Sequence, residues 1–217
     1  MPYQCFSDDF LKSIIGEALK TSHPGQWNVT RHYMYTKLRD MLRNFDGPDK
    51  TCLSVSHSDF LARLLGLVNS CLIRANYPEH DLLSLKYPSA AFDFCVSDQV
   101  LEHVQGNPFA VFEESLRVIK AGGFIVHTSC FLNEIHNMPN DYWRFTPEAL
   151  CLMAEQSGAN VIESGGWGNK DVWAFMALGF RTVPVPNDPS HPICRMAMEK
   201  DDAMPIVTWV VAQKQSS

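Results

Sequence analysis

The sequence predicts an α/β fold built on a parallel sheet, and three observations carry that prediction. Residues 92–97 (Phe-Asp-Phe-Cys-Val-Ser) form a short, mostly apolar run that ends in the polar cluster Asp98, Gln99, Glu102 and His103, as a buried strand does at a sheet edge. Phe109, Phe112, Leu116 and Ile119 then recur at spacings of three and four, which places them on one helix face, and Gly122-Gly123 reads as the stop. Residues 124–129 form a second apolar strand. Strand, helix and strand in that order make a crossover unit of a parallel sheet. Ligands of such sheets sit beyond the carboxyl ends of the strands, so Asp98, Gln99, Glu102 and His103 fall where a site is expected.

The other elements follow in chain order. Residues 7–20 predict a helix with Ser7 or Asp8 as cap and Phe10, Leu11, Ile14, Ile15 and Ala18 as its apolar stripe. A second helix is expected over 30–45, ended by Asp46-Gly47-Pro48. Strands are expected at 51–56 and 70–75, with a helix over 60–67 between them. Thr146-Pro147-Glu148 opens a helix, with threonine as cap and proline at the first helical position. Strands over 161–163 and 205–213 complete the sheet, and Gly165-Gly166-Trp167-Gly168-Asn169 reads as a flexible aromatic turn. A single domain over 1–217 is expected, with 1–48 as an N-terminal helical cap and 49–217 as the core.

At 217 residues the chain is long enough for a sizeable core. Its net charge of −6 and lack of a basic run do not suggest a nucleic-acid partner. No apolar stretch has the length of a membrane span, and the first ten residues lack the order of a signal peptide. The seven cysteines include no C-x-x-C pair, and several sit inside apolar runs as buried thiols do. A reducing, cytoplasmic location is expected.

The run from Phe92-Asp93 through Val100-Leu101-Glu102-His103-Val104 to Glu114-Ser115-Leu116-Arg117-Val118-Ile119-Lys120-Ala121-Gly122-Gly123 resembles the class I S-adenosylmethionine-dependent methyltransferases. The resemblance spans roughly residues 51–170, and Ala121 stands where that family usually has proline. It implies a Rossmann-like, seven-stranded sheet, S-adenosylmethionine as cofactor, and transfer of a methyl group. The family's glycine-rich loop after the first strand reads here Leu53-Ser54-Val55-Ser56-His57-Ser58-Asp59-Phe60, without a glycine. Ser56 and Ser58, flanking His57, are the expected substitutes, with hydroxyls able to donate to the cofactor carboxylate. Asn76 stands where an acid would bind the ribose. Asp81 and Leu82 match the pair that binds adenine, although Asp81 also suits a simple turn. With Ser97, Asp98 and Gln99, these form the expected cofactor site.

Residues 136–147, His-Asn-Met-Pro-Asn-Asp-Tyr-Trp-Arg-Phe-Thr-Pro, resemble the H-x-x-P-x-D-[YF]-W-R-F-T-P stretch of a methyltransferase subgroup associated with sugar, polysaccharide and natural-product clusters. This loop follows a strand end and is expected to overhang the cleft. His136 is the first candidate for a catalytic base and His103 the second. Arg144 suits either an anionic acceptor, held in a bidentate way, or a structural pair with Asp141. His127, Tyr142 and Trp143 are further acceptor-side candidates, although Trp143 also suits the core. Arg31, Tyr33 and Tyr35 supply ligand-competent side chains from the cap. No metal is expected: Gln99 replaces the leading carboxylate of the metal-binding E-V-L-E-H run of ubiquinone-type O-methyltransferases, and the spacing of His127, Cys130 and His136 matches no standard zinc site. The expected acceptor is a small polar metabolite methylated on oxygen. The rival is a cofactor-free binding or scaffold protein on the same fold. A nicotinamide oxidoreductase is disfavoured by the missing G-x-G-x-x-G.

Overall fold

The computed structural model describes residues 26–137 and 139–216, together with positions 9, 12, 15 and 16. Of the helix expected over 7–20, those four positions are helical and the remainder lies outside the described residues. The chain divides into two compact units, Met34–Gly166 with Pro205–Ser217, and Met1–Tyr33 with Trp167–Met204.

The first unit carries the sheet. Strands β1 (Thr51–Val55), β2 (Cys71–Ala75), β3 (Phe92–Asp98), β4 (Ile119–Cys130), β5 (Ala159–Trp167) and β6 (Val207–Lys214) lie in the order β2-β1-β3-β4-β6-β5. β1 runs parallel to β2 and β3, and β3 parallel to β4, whereas β6 returns antiparallel along β4. The chain leaves β1 toward β2 and comes back on the other side as β3, so the strand order reverses there and a crevice opens beyond the two carboxyl ends. Leu53, Val55, Cys95, Phe112, Ile125 and Val210 are among the buried side chains of the core.

This is the Rossmann-like α/β architecture, with six strands among the described residues rather than seven. Each strand expected from its residues is present. The additional one implied by the resemblance does not form, because 76–91 makes turns and one isolated bridge, Asp81 to Ser84. Pro78 and Pro88 offer no ladder donor, and the Asp81 carboxylate accepts from the Leu83 amide at 2.9 Å, a local bond that competes with strand pairing.

Three further expectations are corrected. The helix expected over 30–45 is shorter: α1 (His32–Leu38) ends before Asp40, whose φ of 61° is left-handed, and only a 3₁₀ turn, Arg43–Phe45, follows. The glycine pair does not stop a helix. After α2 (Asp59–Leu64), helix α3 (Pro108–Val118) has already ended when Ile119 turns extended. Gly122-Gly123 instead belongs to an irregular start of β4, where the register jumps between Phe92 and Phe94. A Cβ on Gly123 would lie 2.6 Å from the Asp93 carbonyl oxygen, so only glycine fits there. The residues at 165–167 are strand rather than turn. A Cβ at Gly165 would meet the Trp209 ring at 2.5 Å, which explains the glycine.

Helix α4 (Pro147–Gln156) begins as expected, with Thr146 Oγ1 accepting from the Ala149 amide at 3.2 Å. In the second unit Trp167 is fully buried, stacked by Tyr33, with its indole N–H donating to Glu199 O at 2.8 Å. Asn169 caps α5 (Lys170–Phe175) through the Val172 amide, and its amide donates to Met196 O and Glu199 O near the end of α6 (Pro192–Met198).

Candidate active site

A cavity of about 390 Å³ lies beyond the carboxyl ends of β1, β2 and β3. Ser56 and His57 border it after β1, Tyr77, His80, Asp81 and Leu82 after β2, Gln99, Val100 and 103–105 after β3, and Asn140 and Tyr142 from the long loop after β4. Its size is that of a small-molecule site. Phe60 does not fill it, since its ring packs on Tyr35 at 5.3 Å.

The glycine-free loop keeps a glycine-like path. Ser56 and His57 adopt φ of 49° and 66°, and Gln99 across the cavity adopts 56°. Three non-glycine residues therefore hold left-handed backbones around one hollow, a clustering of strain that marks functional sites. The loop is tied down by bonds from the Ser56 amide to Ala75 O and from the His57 amide to Asn76 Oδ1, both 3.0 Å. Asn76 is thus engaged through its carbonyl oxygen, which leaves its NH₂ for a ligand. Ser54, in the place of the family's acid, donates to Asp59 Oδ1 at 2.5 Å. That bond, with Arg74 on the other oxygen, holds the Asp59 carboxyl below the usual carboxylate range.

Ser58 corrects an expectation. It is buried, accepts from the Asp98 amide at 2.8 Å and donates to Val55 O, so its hydroxyl serves the fold and not a cofactor carboxylate. Asp98 is half-buried and has both carboxylate oxygens engaged, accepting from Tyr35 Oη at 2.5 Å and Thr128 Oγ1 at 2.6 Å. Tyr35 is therefore a buried anchor of β3 rather than an acceptor contact. Ser97 lies in the sheet interior and bonds His127 Nδ1 at 2.7 Å. His127 is fully buried against Phe112, and burial pushes its pKa down to about 3, so the ring is neutral and away from any acceptor. The reason is that β4 runs on to Cys130, leaving His127 within the sheet.

Of the expected cofactor residues, Ser56, His57, Asp81, Leu82 and Gln99 come together around the cavity. Gln99 Nε2 donates to Thr128 Oγ1 at 3.1 Å, while its buried Oε1 has no hydrogen-bond partner among the described residues. Sequence reasoning missed Thr128, which orders both Asp98 and Gln99, as well as His80 and Asn140 in the cavity wall. Their signal was position alone: Thr128 lies near the carboxyl end of β4, His80 in the segment after β2 and Asn140 in the acceptor loop.

On the acceptor side the two histidines exchange rank. His103 lines the cavity, with Nδ1 2.5 Å from Asn140 O, whereas His136 sits behind it with ring centroids 4.9 Å apart. A carbonyl oxygen only accepts, so Nδ1 of His103 is the donor, and in the neutral ring the lone pair is on Nε2. Tyr142 lines the cavity, and its amide, like that of Trp143, donates to Glu102 O. The Trp143 indole donates to Val104 O at 2.9 Å and stacks on buried Phe145. Arg144 grips Asp141 in a bidentate pair, and one guanidinium nitrogen also donates to Trp143 O, so the arginine holds the loop. Arg31 and Tyr33 belong to the second unit.

Asp141 organises this loop, taking Arg144 and the His136 amide together. The Arg144 bond, above all, holds its carboxyl well below the ordinary range. A depressed carboxyl contributes stability above the unfolded pKa of about 4 and loses it as pH falls toward the folded value. Acid below about pH 4 is therefore expected to loosen residues 131–146. Asp141→Asn is expected to do the same at neutral pH, read from the Trp143 indole resonance by NMR.

Residues 45–127 match the family model described as "Methyltransferase domain". No curated protein matches the chain. Solved structures share the fold at low identity. An S-adenosylmethionine-dependent methyltransferase from Mesorhizobium loti aligns at 12% identity and a TM-score of 0.53, over 86% of this chain and 100% of that one. One from Methanosarcina mazei aligns at 13% identity and 0.50, over 83% and 99%. The [4+2]-cyclase SpnF aligns at 17% identity and 0.51, over 95% and 94%. The family model over residues 45–127 and the fold shared along most of its length make the chain similar to the class I S-adenosylmethionine-dependent methyltransferases, and S-adenosylmethionine is the cofactor that this similarity implies.

Proposed function

We propose that the protein transfers a methyl group to a small polar acceptor through oxygen, with S-adenosylmethionine seated in the cavity at the switch point. The observation that carries this reading is the open hollow bordered by Ser56, His57, Asp81, Leu82 and Gln99, with three left-handed backbones around it. Asp81 keeps one carboxylate oxygen beyond its bond to Leu83 for the adenine amino group. Gln99 offers a desolvated acceptor. The cofactor, when bound, supplies an electrophilic methyl on a sulfonium.

The chain's own residues then align and deprotonate. The 139–142 segment walls the cavity and excludes water. For a hydroxyl acceptor, His103 would take the hydroxyl proton on Nε2. For an anionic oxygen no base is needed, and the histidine only orients the acceptor. A cytoplasmic location and the absence of nucleic-acid and membrane partners belong to the same proposal. No helix among the described residues is long and apolar enough to cross a membrane.

A second reading, a cofactor-free binding protein, is favoured by one observation: Ser58 and Asn76 engage protein atoms where ligand contacts were expected. The fold also serves the SpnF cyclase, so fold alone does not carry the activity. Calorimetry and thermal shift with S-adenosylmethionine and with its demethylated product separate the two. The enzyme reading expects saturable binding of both and a raised Tm. Silence at millimolar ligand overturns it.

A further inference from the structure

The long loop after β4 brings together a thiol, an imidazole and a carboxylate that the proposed methyl transfer does not use. Glu102, Cys130 and His136 each present a ligand atom, and these atoms all lie within 4.8 Å of one another. Glu102 is fully buried and Cys130 is 2% exposed. Ser129 Oγ donates to Glu102 Oε2 at 3.0 Å, while Oε1 is buried with no hydrogen-bond partner among the described residues. A buried carboxylate oxygen left unpaired is costly unless something positive completes it. Arg144, the cation of this loop, hydrogen-bonds Asp141; its charge also acts on Glu102 and Cys130, but no hydrogen bond from it reaches the unpaired Glu102 oxygen.

We propose that Glu102, Cys130 and His136 form a binding site for a divalent transition metal, most suited to Zn(II), with a fourth position open to water. The chemistry of the set fits: thiolate and imidazole select a borderline-soft ion, and a carboxylate completes three protein ligands. Tetrahedral ligands around zinc stand roughly 3.3–3.8 Å apart, so an inward movement of about 1 Å closes the set. Asp141 Oδ2 lies 3.1 Å from His136 Nδ1 and also accepts from the His136 amide. A carboxylate beside a ligating histidine is the outer-shell partner that metal sites use to fix the ring. Binding displaces the Cys130 thiol proton to solvent.

This cluster differs from the one the spacing of His127, Cys130 and His136 brought to notice. The sheet turns His127 toward Ser97 and Phe112, and Glu102 takes its place from the 3₁₀ turn Leu101–His103. The metal joins that turn, the end of β4 and the acceptor loop, whose Tyr142 and Trp143 amides already bond Glu102 O. It therefore stiffens the wall that carries His103 and Tyr142, and it does so independently of the cofactor reading.

The test uses the full chain, stripped with chelator and titrated with Co(II) and then Zn(II). One equivalent of Co(II) is expected to give tetrahedral d–d bands and a thiolate charge-transfer band, and Zn(II) is expected to displace it and raise the Tm. Cys130→Ser is expected to abolish the charge-transfer band, and His136→Asn and Glu102→Gln to weaken binding at least about tenfold, in line with the loss of one of three ligands. Cys71→Ser, at an exposed thiol elsewhere, is expected to leave all of this unchanged. Circular dichroism confirms that each variant is folded; if Glu102→Gln does not fold, Cys130→Ser and His136→Asn decide. Failure of the wild-type chain to bind Co(II) or Zn(II) above background overturns the proposal, as does stoichiometric binding that survives both Cys130→Ser and His136→Asn.

Discussion

Asp93→Ala is expected to cost about 2–3 kcal/mol and lower the Tm by about 4–12 °C. Asp93 is 8% exposed at the amino end of β3, and it ties three strand starts together. Its Oδ2 accepts from the Thr51 amide at 3.0 Å, from Thr51 Oγ1 at 3.1 Å and from Lys120 Nζ at 2.8 Å, while Oδ1 faces Lys50 Nζ at 3.3 Å. Removing the carboxylate leaves the Thr51 amide without this acceptor where β1 begins, and leaves two lysines beside the vacated site. Both lysines reach water, so most of the loss comes from the amide and hydroxyl bonds. Asp93→Asn retains an acceptor and is expected to lose about half as much. Desolvation raises the Asp93 carboxyl, but the Lys120, Thr51 and Lys50 contacts outweigh it and hold the group below the ordinary range. Its contribution is therefore present above the unfolded pKa of about 4 and fades as pH falls, so the gap between wild type and Asp93→Ala narrows in acid. Cofactor affinity is not expected to change, because the cavity lies at the opposite ends of the strands.

Substitutions at Ser56 are expected to divide by backbone conformation and not by polarity. Valine at a left-handed φ of 49° is disfavoured, by about 1–2 kcal/mol, and shifting the loop to relieve it moves the cavity floor. Ser56→Val is therefore expected to weaken S-adenosylmethionine at least about tenfold. Ser56→Gly relieves the strain and is expected to bind as tightly as the wild type or better. Calorimetry on the two variants checks this. Loss of affinity in Ser56→Gly assigns the hydroxyl itself to the cofactor carboxylate.

The left-handed loop shows why the missing glycines read as a larger departure in the sequence than they are in space. The residue type changed but the φ angles of Ser56 and His57 did not become those of an ordinary side-chain-bearing turn. The Ala75 and Asn76 contacts that hold this path come from the next strand's end, 19 residues away. The same distance effect explains Ser58 and His127. Each is a polar residue near a strand end, and only the through-space partners Asp98 and Ser97 reveal that they face inward.

The sequence by itself determined the six strands and their crossover, the cap at Thr146 and the position of the cavity, since apolar runs, helical spacing and capping are local and act over a few residues. It also carried the family resemblance that the model over 45–127 supports. Only the tertiary structure decided that Gly122-Gly123 accommodates the Asp93 backbone, that His103 stands in front of His136, that Arg144 belongs to Asp141, and that Glu102 completes a cluster with Cys130 and His136. Those outcomes depend on which buried polar atom finds a partner across the sheet, a competition among residues distant in the chain that no local pattern encodes.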